Sequence, residues 1–299
     1  MKILFIGAGG ALGKFILEEF SKEAEFEIFV MQRSEINFQK NNNIKFITIG
    51  NFIKSNYLLN DIMFDCVIYM AGYWRGKTLD IDSFNHNYYP FVNILKVLNK
   101  NFKKIIYFSS SAVYQNGEGY ENNEIKILPN SSYGIAKLLA ENYLINYSLI
   151  NNHNYTILRP FHVVSPIEKY LLGKSHVVTD FIYKVKNYGD IPRDNLNTKK
   201  MKSTYVPFTW VGDLINVLRF TICDSNITSN NIYNIGSRYS YNIYDLSLMI
   251  LDLYFNNRNI SKKNYIFNNF FDKSFNDMGF YSETPLDYQI ETCWNYNES

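Results

Sequence analysis

Lys2-Ile3-Leu4-Phe5-Ile6 runs straight into Gly7-Ala8-Gly9-Gly10-Ala11-Leu12-Gly13, and Lys14-Phe15-Ile16-Leu17-Glu18-Glu19-Phe20 follows at helical period. A short apolar strand, a glycine turn and a helix form the opening unit of a nucleotide-binding α/β fold. Gly7, Gly10 and Gly13 allow a tight turn, close approach of backbone N–H groups to a pyrophosphate, and close packing of helix on sheet. The anion would then lie at the helix N-terminus, over Ala11 and Leu12. A plain structural turn is the competing reading, and the position directly after an apolar strand favours the nucleotide.

Outward from this unit the chain alternates strands and helices. Phe26 to Met31 reads as the second strand, and its end is where such folds offer a carboxylate to the adenosine ribose. Gln32-Arg33-Ser34 stands there instead. Without the acid and with an arginine, a 2′-phosphate is tolerated or paired, which tilts the cofactor from NAD to NADP; a solvated surface arginine is the alternative. Ile44 to Ile49 and Cys66 to Ala71 read as further strands. The second closes on Ala71-Gly72, small enough for a cofactor to lie across the sheet edge, and Asn51-Phe52 between them could flank an adenine. Asn85 to Asn99 is expected as one amphipathic helix despite Pro90 near its start.

Lys104 to Phe108 is the next strand, and it delivers Ser109-Ser110-Ser111 to its carboxyl end, where open α/β sheets place their ligands. Ser132-Tyr133-Gly134-Ile135-Ala136-Lys137 follows. If this is the first turn of a helix, Tyr133 and Lys137 share a face one turn apart, where an ammonium is expected to lower the pKa of the phenol. An unperturbed phenol, with a pKa of about 10, is a poor acid–base group at neutral pH. The same spacing recurs at Tyr73 to Lys77 and Tyr170 to Lys174 in a chain of 25 tyrosines, so context selects Tyr133. Asn154 to Pro160 is a sixth strand, expected to close a doubly wound parallel sheet. From Phe161 the rhythm loosens into a smaller lobe with helices at His176 to Lys186, Val211 to Cys223 and Ile243 to Phe255 and a strand at Tyr233 to Ile235. The expected division is 1–160 for the dinucleotide-binding domain and 161–299 mostly for a substrate-binding lobe, with some segments returning to the core.

Length and composition agree with this. The 299 residues are 46% hydrophobic and 17% aromatic, enough for a sizeable core. A formal net charge of +2, without long basic runs or aromatic–basic interleaving, gives no sign of nucleic acid as a partner. Three scattered cysteines fit neither a disulfide framework nor a metal site and suggest a reducing compartment. No apolar run approaches the roughly 20 residues of a membrane span, so a soluble, cytoplasmic protein without a membrane or metal partner is expected.

The glycine pattern, Ser110 and the Tyr133/Lys137 pair together resemble the extended short-chain dehydrogenases/reductases, the NAD-dependent epimerase/dehydratase group that modifies sugar nucleotides. The likeness continues through Leu158-Arg159-Pro160-Phe161-His162, Trp210-Val211-Gly212-Asp213-Leu214, Tyr233-Asn234-Ile235-Gly236 and Met278 to Trp294. It implies Tyr133 as the acid–base group, Lys137 as its electrostatic partner and nicotinamide-ribose contact, and Ser110, rather than Ser111, as the hydroxyl on the substrate oxygen. It implies cofactor contacts from Gly7, Gly10, Ala11, Leu12, Gly13, Gln32, Arg33, Asn51, Ala71, Gly72, Asn87, Tyr133, Lys137 and Pro160. Ser111, His162 and His176 are the implied substrate contacts. A homodimer pairing through the Asn87 and Tyr133 helices, a nucleotide-sugar substrate and a role in polysaccharide biosynthesis follow from the same resemblance.

Departures from the family pattern narrow the reaction. The 4,6-dehydratases carry Asp-Glu where this chain has Ser111 and Ala112, and the 3,5-epimerising reductases need cysteine at Ala112, although Ser175-His176-Val177 resembles their histidine segment. His176 is expected to start a helix. The arginine with which many relatives grip the diphosphate falls near Val206, leaving Lys199, Lys200 or Lys202 for that task, or else a substrate that is not a nucleotide sugar. The expectation is an NADP-preferring (or NAD-using) ketoreductase for a nucleotide-linked keto-sugar, with an epimerase that retains NAD as the alternative.

Overall fold

The computed structural model describes residues 1–32, 43–48, 62–74, 80–114, 126–172, 175–191, 205–223, 229–255, 268–269 and 280–296. In chain order the opening unit is β1 (Lys2–Ile6) and α1 (Ala11–Phe20), then β2 (Glu27–Gln32), β3 (Ile44–Thr48) and β4 (Phe64–Tyr69). Next come α2 (Asp82–Asn87), α3 (Tyr89–Leu98), β5 (Phe102–Phe108), a 3₁₀ turn (Ser111–Val113), α4 (Ser132–Asn151) and β6 (Asn154–Pro160). The remainder comprises β7 (Val163–Val164), α5 (Val177–Tyr188), β8 (Tyr205–Pro207), β9 (Thr209–Trp210), α6 (Val211–Cys223), β10 (Asn231–Ser237) and β11 (Tyr239–Asn242). It ends with α7 (Ile243–Phe255), β12 (Asn268–Asn269), β13 (Phe280–Ser282) and α8 (Leu286–Tyr296).

Eight strands form one sheet in the order β13-β10-β6-β5-β4-β1-β2-β3, every pair parallel. This is the Rossmann-like architecture expected of the alternating pattern, with both faces covered by helices. Ile3, Phe5, Ile28, Val30, Ile68 and Ile106 pack on Ile16, Leu17 and Phe20 of α1 and on Leu214 and Leu218 of α6. Their neighbours Leu4, Ile6, Phe29, Val67 and Ile105 point the other way, onto Phe91, Leu95 and Leu98 of α3 and Leu144 of α4. Each such side chain, fully buried, contributes roughly 1.5–3 kcal/mol against exposure. A separate apolar layer joins α5, α7 and α8 through Phe181, Ile182, Val185, Leu246, Ile250, Leu253, Ile290 and Trp294.

Three expectations are corrected. The helix expected over Asn85 to Asn99 is two helices, α2 and α3, meeting at Tyr88, and Pro90 sits in the first turn of the second. Proline lacks an N–H to continue α2 but is pre-shaped to begin α3. The sheet does not close at β6: β10 pairs along Thr156 to Pro160, and β13 pairs along Ile235 to Ser237. The strand read as Tyr233 to Ile235 is longer, because a parallel partner on each side gives its backbone groups a place to bond. Finally, Val206, at the place of the family arginine, is buried in β8 opposite Tyr241. Among the described residues no helix is long and apolar enough to cross a membrane, and no group of His, Cys, Asp and Glu could hold a metal ion. Lys199, Lys200 and Lys202 lie outside the described residues.

Candidate active site

Strand order reverses between β1 and β4, since β1 leads outward to β2 and β3 while β4 leads to β5 and β6 on the other side. A crevice at the carboxyl ends of these two strands is the ligand position of such sheets. Gly7 lies there at φ +90°, and a Cβ on it would stand 2.4 Å from the Ala71 backbone nitrogen, so both conformation and space require glycine. A Cβ on Gly13 would meet Ala8 Cα at 2.6 Å and the Gly7 carbonyl oxygen at 2.7 Å, so glycine lets α1 pack closely on the turn that leaves β1. Gly10 differs: nothing lies within 4 Å of its would-be Cβ. It is also the N-cap of α1, and no side chain bonds to the cap. Backbone N–H groups of the first turn, Ala11, Leu12 and Gly13 among them, have no intrahelical acceptor. An open glycine beside an uncapped helix N-terminus fits the pyrophosphate of a dinucleotide.

The edge of this crevice is held from behind. Asn87, buried in α2, accepts the Tyr73 N–H at 2.8 Å through Oδ1 and donates through Nδ2 to the Tyr73 and Ser83 carbonyls, each at 2.9 Å. It thus anchors the backbone that leaves β4. Gly72 has the Asn87 amide and the Lys137 ammonium 3.4 and 3.3 Å from where its Cβ would be. Gln32 ends β2 one residue beyond the Ile6–Met31 pair, near the Gly7 turn. Arg33 and Asn51 lie outside the described residues.

The three serines after β5 have three different partners. Ser109, buried, donates its hydroxyl to Glu141. Ser110, partly exposed, caps the 3₁₀ turn by accepting the Ala112 N–H at 3.2 Å, and its side chain acts to lower the Tyr133 pKa. Ser111 is buried in the turn itself. α4 starts against this turn: a Cβ on Gly134 would lie 2.1 Å from the Ala112 carbonyl oxygen, so glycine lets the helix bring Tyr133 up to Ser110. Ser131 caps it by accepting the Gly134 N–H at 3.2 Å.

Lys137 follows one turn down, buried, donating to the Phe108 carbonyl at 2.8 Å. Its Nζ is 5.0 Å from the Tyr107 ring centroid and 5.8 Å from that of Tyr133. The electrostatic expectation is corrected here. Burial pushes the Tyr133 phenol up to about 12, against the opposing pull of the Ser110 hydrogen bond. The same burial brings the Lys137 amine down to about 7, opposed by Glu141. In this desolvated pocket the cost of burying charge exceeds what the pair returns.

The implied substrate contacts are dispersed. Pro160 ends β6, and His162 follows at φ +27° with its ring 6.0 Å from Phe208. His176 is the N-cap of α5, as its expected helix-start role requires. Its Nδ1 lies 2.8 Å from Glu168 Oε1, and its ring stacks at 6.5 Å on Trp74, which follows the β4 exit. Two side chains that the sequence reading did not single out complete the centre: Glu141 on α4 and Arg159 on β6, joined by Nε to Oε1 at 2.9 Å and Nη2 to Oε2 at 2.5 Å. Their signals were a glutamate four residues after Lys137 and an arginine inside an apolar strand.

Among known proteins, the chain is 27% identical over 282 residues to the bifunctional polymyxin resistance protein ArnA of Wigglesworthia glossinidia brevipalpis, covering 86% of this chain and 42% of that protein. It is 30% identical over 167 residues to dTDP-4-dehydro-6-deoxyglucose reductase of Escherichia coli, covering 54% of this chain and 49% of the relative. The chain spans less than half the length of the curated relatives it matches. Its fold is shared with Pal from Bacillus thuringiensis, at a TM-score of 0.75 and 18% identity, over 100% of this chain and 99% of that one. The same TM-score, identity and coverages relate it to a mutant UDP-glucuronic acid 4-epimerase from Bacillus cereus in complex with NAD and a fluorinated UDP-sugar. Residues 3–236 match the NAD dependent epimerase/dehydratase family, and with the glycine crevice and the Ser110–Tyr133–Lys137 cluster on the same sheet edge, the chain belongs to that family.

Proposed function

We propose that the protein is a nicotinamide-dependent ketoreductase acting on a nucleotide-activated keto-sugar. The observation that carries this reading is the seating of Ser110, at the open end of β5, against the first turn of α4 that carries Tyr133, with Lys137 buried behind it and its Nζ 5.8 Å from the Tyr133 ring. A nicotinamide cofactor held in the glycine crevice supplies the hydride. Ser110 and Tyr133 hydroxyls converge on the substrate carbonyl oxygen, where negative charge develops, and Tyr133 delivers its proton to that oxygen. A phenol held protonated well above neutral pH starts the cycle as a donor, the role a reductase needs first. An epimerase must first remove a proton.

In this reading Gly7, Gly10, Ala11, Leu12 and Gly13 bind the pyrophosphate, Gln32 and Arg33 meet the adenosine ribose, and Asn51, Ala71, Gly72, Asn87 and Pro160 line the rest of the cofactor path. Lys137 holds the nicotinamide ribose. Ser111, His162 and His176 face the sugar nucleotide. The keto-sugar assignment draws on the reductase named among the relatives and on Ser111 and Ala112 standing where dehydratases carry Asp-Glu. NAD is the family cofactor, and the missing carboxylate beside Arg33 argues for NADP in this chain. Two copies would pair through the Asn87 and Tyr133 helices (α2 with its continuation α3, and α4), where Tyr89 and Leu139 are exposed; light scattering in solution reads that assembly.

The direct test is oxidation of NADH and NADPH by purified protein supplied with dTDP- and UDP-4-keto-6-deoxyhexoses. Turnover is expected with at least one pair, faster with NADPH. Absence of oxidation across all pairs overturns the reductase reading. NAD released on denaturation, together with sugar interconversion without net redox change, reassigns the protein to epimerisation.

A further inference from the structure

Five polar side chains from separate parts of the chain meet behind the Ser110–Tyr133 pair. Glu141 is 1% exposed and lies one turn past Lys137 on the inner face of α4. Its Oε1 accepts from the Ser109 hydroxyl and from Arg159 Nε, and its Oε2 accepts from Arg159 Nη2. Arg159 Nη1 donates to the Tyr114 hydroxyl at 2.8 Å, which donates in turn to Asn234 Oδ1 at 2.7 Å. Four of these residues border a candidate site residue or segment: Ser109 precedes Ser110, Arg159 precedes Pro160, Tyr114 follows the 3₁₀ turn, and Glu141 follows Lys137 by a turn.

A buried ion pair contributes little net stability, because desolvation roughly cancels attraction and apolar residues of equal volume do as well or better. What the bidentate fork provides is fixed relative geometry for the elements it joins. We propose that Glu141 is the positioning residue of this centre: clamped by Arg159 and Ser109, its carboxylate fixes the end of β5 against α4 and sets a negative charge one helical turn from the Lys137 ammonium. The proposal rests on the reading of Ser110, Tyr133 and Lys137 as the catalytic set.

The charge has a direction. Lys137 is faced by the Tyr107 ring and the Phe108 carbonyl of β5, the Tyr133 ring of its own helix, and Gly72 with the Asn87 amide from the β4 side, all uncharged. Glu141 is the carboxylate that raises the Lys137 pKa against burial, and Arg159 lies beyond it. Neutralising Glu141 removes the attraction and leaves the Arg159 cation unpaired, and both changes disfavour the ammonium.

The test is Glu141→Gln in the full chain, with Lys137 followed by carbon NMR of the lysine Cε and its signal identified by loss in Lys137→Met. The expected result is a Lys137 titration lower by about one pH unit or more and a kcat about tenfold lower with substrate KM little changed. The double variant Glu141→Gln/Arg159→Met guards against misfolding, since it leaves no unpaired charge; a downward shift smaller than that of the single variant is expected, because only the lost attraction remains. A wild-type Lys137 titration in either folded variant overturns the proposal. The titration needs no substrate, so if no keto-sugar is turned over, the reductase reading fails while the role of Glu141 is still decided.

Discussion

Among the described residues the buried charged side chains are Lys104, Lys137, Glu141 and Arg159, and all four belong to β5, α4 and β6. The lobe built on α5, α7 and α8 buries apolar and neutral polar groups instead, and its Glu168–His176 pair lies at the surface with the imidazole about half exposed (54%). The two regions handle polarity in opposite ways. Across β5, α4 and β6 each buried charged group is desolvated and bonded to another element. In the lobe, the Glu168–His176 pair keeps its imidazole partly in water while the carboxylate is mostly covered, and a half-hydrated pair constrains less than a buried one.

The largest effect that could break this contrast is expected at Tyr133. Tyr133→Phe should lower kcat by about 10²–10⁴-fold, the usual contribution of a positioned acid–base group, with NADH affinity by fluorescence titration unchanged; a wild-type rate would remove the catalytic role. The glycine crevice comes next. Gly7→Ala should cost about 1–2 kcal/mol from the left-handed conformation alone, with more from the Ala71 contact. Gly10→Ala, in open space at φ −75°, should leave the melting temperature nearly unchanged while weakening NADH binding. Equal thermal shifts for the two variants would contradict the assignment of one glycine to folding and the other to the ligand.

Asn87→Ala should destabilise by about 1–3 kcal/mol, because the part-buried Tyr73 backbone groups and the Ser83 carbonyl lose their partner; urea titration measures it. The smallest effect belongs to the surface pair. Glu168 raises the His176 pKa, so its stabilisation is fully present below the ordinary histidine range and lost as pH rises through the folded value. Glu168→Gln should therefore cost about 0.2–1 kcal/mol more at pH 5 than at pH 9, where Glu168 still accepts the bonds from the His176 backbone N–H and the Thr179 hydroxyl. An equal cost at both pH values would remove the ionic part of the pair.

Much of this was legible beforehand where one element carries its own signal. β1, β6, α6 and α7 have the boundaries read from periodicity, since each is a run of apolar residues at a single period. Ser110, Tyr133 and Lys137 were legible because a strand end and a one-turn helical spacing are local patterns. Tyr73 shares that spacing with Lys77, but its backbone is spent on Asn87. The break at Tyr88 was missed because an apolar stripe continues across it, and β13 because three residues carry no period.

The sequence by itself determined the parallel sheet, the glycine crevice and the one-turn spacing of Tyr133 and Lys137, all of which follow from steric and periodic rules acting over a few residues. Only the tertiary structure decided the charge states and the clamp. Whether Lys137 lowers the Tyr133 pKa depends on how much water both lose. Glu141 and Arg159 are 18 residues apart in the chain, and they become a buried pair only when α4 packs on β6, a property of depth and contact that no local pattern encodes.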